Sequence, residues 1–412
     1  MERRRSRLPL AILLAAGAAA AATLILRPRS GLIEPAAVDV KAYFSAAQLA
    51  RAEAFRDPQR LIGIAGLAVS GGTLAFIALG PPRRLLEPLA RRRMLGAAAV
   101  GAGISLTLVA VGLPLSAVAH KRAVDYGLST QDWGPWLVDV AKYTAVDAAF
   151  AAVGGVLALA VVSRFRRHWW APMAAGAVVI GFASLWLFPV VIDPLFNRFD
   201  PLPRGELRTE VLQLARESGV DVGEVYRVDA SRRTTGANAY VVGFGHTKRV
   251  VLYDNLIEGF PRAEVRSVVA HELGHQKHDD LWRGLAWLAL VAPAGTLLAQ
   301  RLAERFHPSL ADPGTRPVPA ALPAIALALG LVSFAGGIAS NALSRKVESA
   351  ADAFALRQTD DPKAFIGLER SLAVTNVSDP EPPRITQILF GTHPTTKERI
   401  GFGVTYERGQ GR

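Results

Sequence analysis

SVVAHELGHQKHDD, residues 267–280, carries two histidines four residues apart with a glutamate directly after the first. On an α-helix, positions i and i+4 share a face, so His271 and His275 can aim both imidazoles at one ion. Glu272 is one step round, about 100° away. It is badly placed as a third ligand but well placed to reach a water held on a metal. A divalent ion in this setting lowers the pKa of that water, and the glutamate takes its proton. The competing reading is a solvated polar face. Val268, Val269 and Ala270, just ahead of His271, argue instead for a buried helix.

A catalytic zinc site needs a third protein ligand and one open position. The candidate is in SRKVESAADAF, residues 344–354, where Glu348 and Asp352 are again i and i+4. Glu348 would bind the metal. Asp352 would hold the second ring nitrogen of a ligand histidine and fix its tautomer. Ala350 and Ala351 between them would let the two helices approach closely. Taken alone, this acidic spacing is common on solvated faces; beside HELGH it gains weight. His278 follows His275 closely and suggests a second metal site, but Gly274, Gln276 and Lys277 read as a helix end near a membrane surface. Asp279 and Asp280 are then expected to be exposed.

Moving outward, the 412 residues are 50% hydrophobic with mean hydropathy +0.24, which points to a membrane protein. The net charge of +12 would suit nucleic acid, but the arginines flank apolar runs (MERRRSR, RRLLEPLARRR, SRFRRHWW), where membrane proteins keep them. There is no cysteine, so disulfides and thiolate ligands are excluded. Seven apolar segments suffice to cross a bilayer, at roughly 8–26, 61–80, 94–119, 143–163, 169–192, 284–300 and 318–343. The first is read as an uncleaved helix rather than a signal peptide. Asp147 in the fourth is read as lying near the helix end. No internal repeat is visible.

Residues 1–192 thus form a membrane region with five spans, and 193–412 a polar domain interrupted by the last two. Within it, residues 202–220 read as a helix ending at Gly219. EVYRVDA (224–230), NAYVVGF (238–244) and KRVVLYD (248–254) read as strands. Pro261 opens the histidine helix. Residues 343–358 form a helix after the seventh span, and Asp361 caps the next one with Pro362 in its first turn. FGTHPTTKERIGF (390–402) is loop, then helix.

These stretches, with DYGLSTQDWGPWLVD (125–139), FPVVIDPLFNRFDPLPRGELR (188–208), GANAYVVGFGHTKRVVLYDNLI (236–257) and HPTTKERI (393–400), resemble peptidase family M48, and within it the Ste24-type CAAX prenyl proteases. The resemblance covers nearly the whole chain. It implies a mainly α fold: a membrane α-barrel of about seven helices round a large chamber, closed by a gluzincin-type zinc domain with a small β-sheet. It implies one Zn2+ per subunit on His271, His275 and Glu348, Glu272 as general base, and Asp352 behind the ligands. It further implies that Asn238, Ala239 and Tyr240 pair with substrate backbone, that His393 stabilises the oxyanion and that Arg399 supports the site. On their own residues, Asn238 reads as a turn residue and His393 as a loop histidine.

The implied activity is hydrolysis of membrane-associated, CAAX-type or hydrophobic polypeptides, with a bilayer and no nucleic acid as partners. A membrane quality-control protease, a protease with its zinc inside the bilayer, and a non-enzymatic membrane protein with a structural zinc are the alternatives. Against a structural zinc, such a site has no use for Glu272 and fills all four positions with protein. Against an intrabilayer zinc, HELGH lies outside the spans. The resemblance places the zinc domain in the cytoplasm. The loops on the opposite side, however, hold more Lys and Arg, among them Arg3, Arg4, Arg5, Arg83 and Arg84, which favours the reverse orientation.

Overall fold

The structure, a computed structural model, describes residues 7–410 except Phe244, His246 and Thr247; at Arg7, residues 82–85, Glu87 and Ala90 it describes the backbone alone. Arg3, Arg4 and Arg5, and the side chains of Arg83 and Arg84, therefore lie outside the described residues. Among the described residues, seven helices are long and apolar enough to cross a membrane. They are α1 (Arg7–Leu26), α2 (Ala46–Leu79), α3 (Arg93–Asp125), α4 (Trp133–Arg164), α5 (Trp170–Leu187, continued by a π turn over Phe188–Ile192), and further along the chain α9 (Asp280–Phe306) and α10 (Leu322–Thr359). Each packs on the next in the closed order α1–α9–α5–α4–α3–α2–α10–α1, which makes the set a barrel. Between α5 and α9 lie α6 (Glu206–Glu217), α7 (Asp254–Gly259) and α8 (Arg262–Lys277). After α10 come α11 (Pro362–Thr375), α12 (Arg384–Phe390) and α13 (Thr396–Gln410).

Several helices outrun the apolar segments that reveal them. Helix α2 starts at Ala46, where Ser45 and Gln48 form a capping box, and its polar first half rises out of the barrel. There Arg56 donates to Val377 O at 2.7 Å, and Arg60 pairs with Asp379. The seventh span and the helix carrying Glu348 are not two helices, as the sequence suggests, but one, α10. No glycine or proline interrupts residues 338–359, so nothing ends the helix at the membrane. Asp147 is likewise not near a helix end. It sits in the middle of α4, accepts from Ser105 Oγ at 2.7 Å and lines a cavity between α2, α3 and α4.

The polar domain has a four-stranded sheet in the order β1 (Phe199–Pro201), β2 (Glu224–Val228), β4 (Arg249–Tyr253), β3 (Ala239–Val242). β2 and β4 are parallel, and the outer pairs antiparallel. β1, a Phe-Asp-Pro triplet, carries no strand signal in the sequence. β4 is central, and its Val250, Val251 and Leu252 are fully buried. Helix α8 packs its apolar side, Val265, Val269 and Leu273, into the core under this sheet with Leu356 of α10 and Phe365 of α11. β3 stays at the sheet edge. The loop between α3 and α4 and the start of α4 hold the chain that leads into it: Thr130 N donates to Arg233 O, and Asp139 of α4 receives Arg233 Nε at 2.8 Å.

Candidate metal centre

His271 and His275 leave α8 on one face, and α10 crosses directly behind. Gly274 permits this: a Cβ there would come within 3.3 Å of Ala351 Cα and 3.1 Å of Phe354. The close approach brings Glu348 to both histidines. Its Oε2 lies 3.2 Å from His271 Nε2 and 3.6 Å from His275 Nε2, and the two Nε2 atoms are 3.2 Å apart.

The protonation pattern follows from what stands behind each ring. His271 Nδ1 is 2.8 Å from Asp352 Oδ1, and His275 Nδ1 is 3.0 Å from Asp280 Oδ2. A carboxylate accepts, so each Nδ1 donates, and each Nε2 is left to offer a lone pair once its proton is displaced by a metal. Two ring nitrogens and one carboxylate oxygen then converge on one point. Glu348 Oε2 is buried without a hydrogen-bond partner. A tetrahedral zinc with bonds of about 2.0–2.1 Å has ligand atoms about 3.3 Å apart, which is the spacing found. Among the described residues, this is the group that fits a metal ion.

Glu272, next to His271 on α8, makes no hydrogen bond or ion pair among the described residues. Burial holds its carboxyl above the ordinary value, while His271 and His275 pull it down. His393, in the loop before α13, is exposed, and its Nε2 lies 3.3 Å from Glu348 Oε2. Arg399 of α13 donates from Nε to Asp352 Oδ2 at 2.9 Å and from Nη1 to Glu369 Oε2 at 3.0 Å. Ala239 and Tyr240 lie on the edge strand β3, with Asn238 just before it. Asn238 O accepts from Tyr253 N, and its side chain is exposed. Ala239 is 2% exposed and packs into the core under the sheet. Gln276 Nε2 ties Val241 O to the metal helix at 3.4 Å.

Two members of the constellation are invisible in the sequence. Asp280 is not exposed as expected; its side chain is 8% exposed and turned onto His275. Asp279 adopts φ +54° between α8 and α9, a left-handed turn that Asp tolerates, and this folds Asp280 back. Glu369 of α11 is 3% exposed and buttresses Arg399; burial pushes its carboxyl up, against the pull of Arg399. A glutamate in GLERSL gives no sign of this. His278 does not join the cluster; its ring packs edge-on against Phe354, with centroids 5.6 Å apart.

A seven-helix membrane barrel with a two-histidine, one-glutamate centre at its mouth defines a multi-pass membrane metallopeptidase. Comparison with known proteins gives the family. The family model for peptidase family M48 matches residues 201–402. One described as CAAX prenyl protease N-terminal, five membrane helices, matches 84–198. The metalloprotease YhfN of Bacillus subtilis is 34% identical over 303 residues, 72% of this chain and 70% of that protein. CAAX prenyl protease 1 of Saccharomyces cerevisiae is 31% identical over 175 residues, 42% of this chain and 38% of that one. The crystal structure of S. mikatae Ste24p superposes with TM-score 0.78 over 96% of this chain and 97% of that one, at 19% identity. The chain belongs to peptidase family M48.

Proposed function

We propose that the protein is a zinc endopeptidase acting on extended, membrane-associated polypeptides, with residues 193–412 as the peptidase domain. The convergence of His271 Nε2, His275 Nε2 and Glu348 Oε2 at tetrahedral spacing carries this reading. Bound there, zinc supplies Lewis-acid polarisation of a carbonyl and a water of lowered pKa. Glu272 takes the proton of the attacking water and returns it to the leaving amine. His393 donates to the carbonyl oxygen as that oxygen gains negative charge. The free edge of β3 adds a substrate strand, with Asn238, Ala239 and Tyr240 as the pairing segment. Zinc content and peptidase activity in detergent, before and after chelation, test the assignment; activity untouched by metal removal would refute it.

The carboxylates behind the histidines set the metal affinity. Replacing Asp352 or Asp280 by Ala is expected to weaken zinc binding about 10–100-fold, read by competition with a chromogenic chelator. Full affinity in Asp280→Ala would remove Asp280 from the site.

Zinc uptake should also depend on pH. In the metal-free centre, burial alone would lower both histidines. Asp352 outweighs it and pushes His271 up to about 10, and Asp280 with Glu348 pushes His275 up to about 9. Metal must displace these protons, so apparent affinity falls with pH below about 9, by up to about tenfold per unit for each proton displaced. In the metal-free protein the sign reverses for stability. The stabilisation from these raised groups is present below the unfolded pKa of about 6.5 and lost as pH rises through about 9–10. The unfolding temperature of chelated protein should therefore drop between pH 7 and 10; a flat profile would contradict the arrangement.

Selectivity should come from an apolar anchor, since backbone pairing reads little sequence. Supporting this, a cavity of about 480 Å3 between α2, α3 and α4 shares Ser116 and Ala119 with one of about 580 Å3 that reaches Gly236, just ahead of β3. A lipidated or strongly hydrophobic peptide is expected to be cleaved much faster than a soluble peptide of the same cleavage sequence. Equal rates would shift the reading towards a general membrane quality-control protease.

A further inference from the structure

Away from the metal, a cavity of about 590 Å3 opens where the end of α1 meets the junction of α8 and α9. Four arginines line it, Arg27, Arg29, Arg283 and Arg357. Their hydrogen-bond partners are mostly backbone carbonyls. Arg29 donates to Leu24 O at 3.2 Å, Arg357 to Gly31 O at 2.9 Å, and Arg283 to His278 O at 3.2 Å and, more loosely, to Asp280 Oδ1 at 3.4 Å. Arg27 makes no side-chain hydrogen bond or ion pair among the described residues. One other carboxylate, Asp279, lines the cavity. His278 adds an Nδ1 that is buried and unpartnered. Like charges gathered this densely, with most donors of each planar fork unspent, call for an anion with several acceptor oxygens.

The cavity is two-faced. Ile25 and Leu26 belong to the last turn of one membrane-length helix, and Trp282 and Ala286 to the first turns of another. Arg27 and Arg29 follow directly on the last apolar turn of α1, and Arg357 reaches in from the end of α10, where it donates to Gly31 O. Ile25 is 63% and Trp282 49% exposed. A free phosphate would fill the basic half and leave this apolar half wet. A phospholipid fills both, with its phosphate among the arginines and its glycerol and first methylenes on Ile25 and Trp282. We infer that this cavity is a binding site for the phosphate of an anionic membrane lipid. The site lies one turn from Asp280, the residue that holds His275, so the lipid also braces the junction that shapes the metal centre. His278, which resembles a metal ligand in the sequence, belongs here instead.

The test uses the full-length protein in a neutral detergent, titrated with short-chain phosphatidylglycerol, short-chain phosphatidylcholine or inorganic phosphate, with bound ligand counted by native mass spectrometry. One phosphatidylglycerol should saturate each chain at concentrations where phosphatidylcholine and phosphate do not bind. Arg27→Gln should weaken it about fivefold, and Arg27→Gln with Arg29→Gln about 25-fold, following the contribution of one basic residue near an anionic surface. Arg91→Gln with Arg92→Gln, the same charge change between α2 and α3 at the opposite end of the barrel, should leave it unchanged. Should the double variant fail to fold, Arg27→Gln decides alone, since its guanidinium holds no other part of the protein. Unchanged binding in Arg27→Gln, equal loss in the Arg91 and Arg92 control, or phosphate binding as well as the lipid would each overturn the inference; the last would mark a site for a water-soluble anion.

Discussion

With Glu272 replaced by Gln, the protein is expected to keep its fold and its zinc and to lose peptide hydrolysis by about 10²–10⁴. The substitution preserves shape and removes a proton acceptor. Glu272 makes no hydrogen bond or ion pair among the described residues, so no structural contact is lost. Burial already holds its carboxyl above the ordinary value, which moves a carboxylate towards the range where a base works near neutral pH. Equal zinc content in variant and wild type, with turnover measured on one hydrophobic peptide, separates loss of the base from loss of the metal. Near-normal turnover would remove Glu272 from the chemistry.

Glu348→Ala is expected to act one step earlier, by emptying the site. Its Oε2 lies within 3.6 Å of both Nε2 atoms, Glu348 is the carboxylate grouped with the two histidines among the described residues, and Asp352 on the same helix is committed to His271 and Arg399. After dialysis the variant should retain little zinc by elemental analysis and show no peptidase activity. Retention of full metal would place the third ligand elsewhere, and His393, whose Nε2 already lies 3.3 Å from Glu348 Oε2, would become the suspect.

What could be read from the sequence was whatever depends on spacing along one element. The i, i+4 pairs His271/His275 and Glu348/Asp352, the seven apolar segments, the three longer strands and the cap at Asp361 are local facts, and they stand. What escaped depends on how elements meet. Asp280 looked solvated because the turn at Asp279 that folds it onto His275 has no glycine to announce it. Glu369 reads as one more polar position on an amphipathic helix until α13 lays Arg399 against it. β1 is too short, and holds a proline, so only its pairing with β2 makes it a strand. The break expected after residue 343 came from hydropathy, which reports the solvent around a helix and not the continuity of its backbone.

That continuity has a mechanical side. Helix α10 is one rod of 38 residues, about 57 Å long at 1.5 Å per residue. Its lower part is a stave of the barrel and its upper part holds Glu348 and Asp352. Helices meet a change in bilayer thickness largely by tilting, and a tilt of a few degrees moves a point tens of Å along a rod by more than an ångström. Ligand geometry tolerates about 0.5 Å. The neighbours of α10 resist that tilt, but they stand in the same lipid. A change in the acyl-chain length of the surrounding membrane is therefore expected to reach the metal centre through α10, and turnover of one hydrophobic peptide compared in thin and thick bilayers checks it.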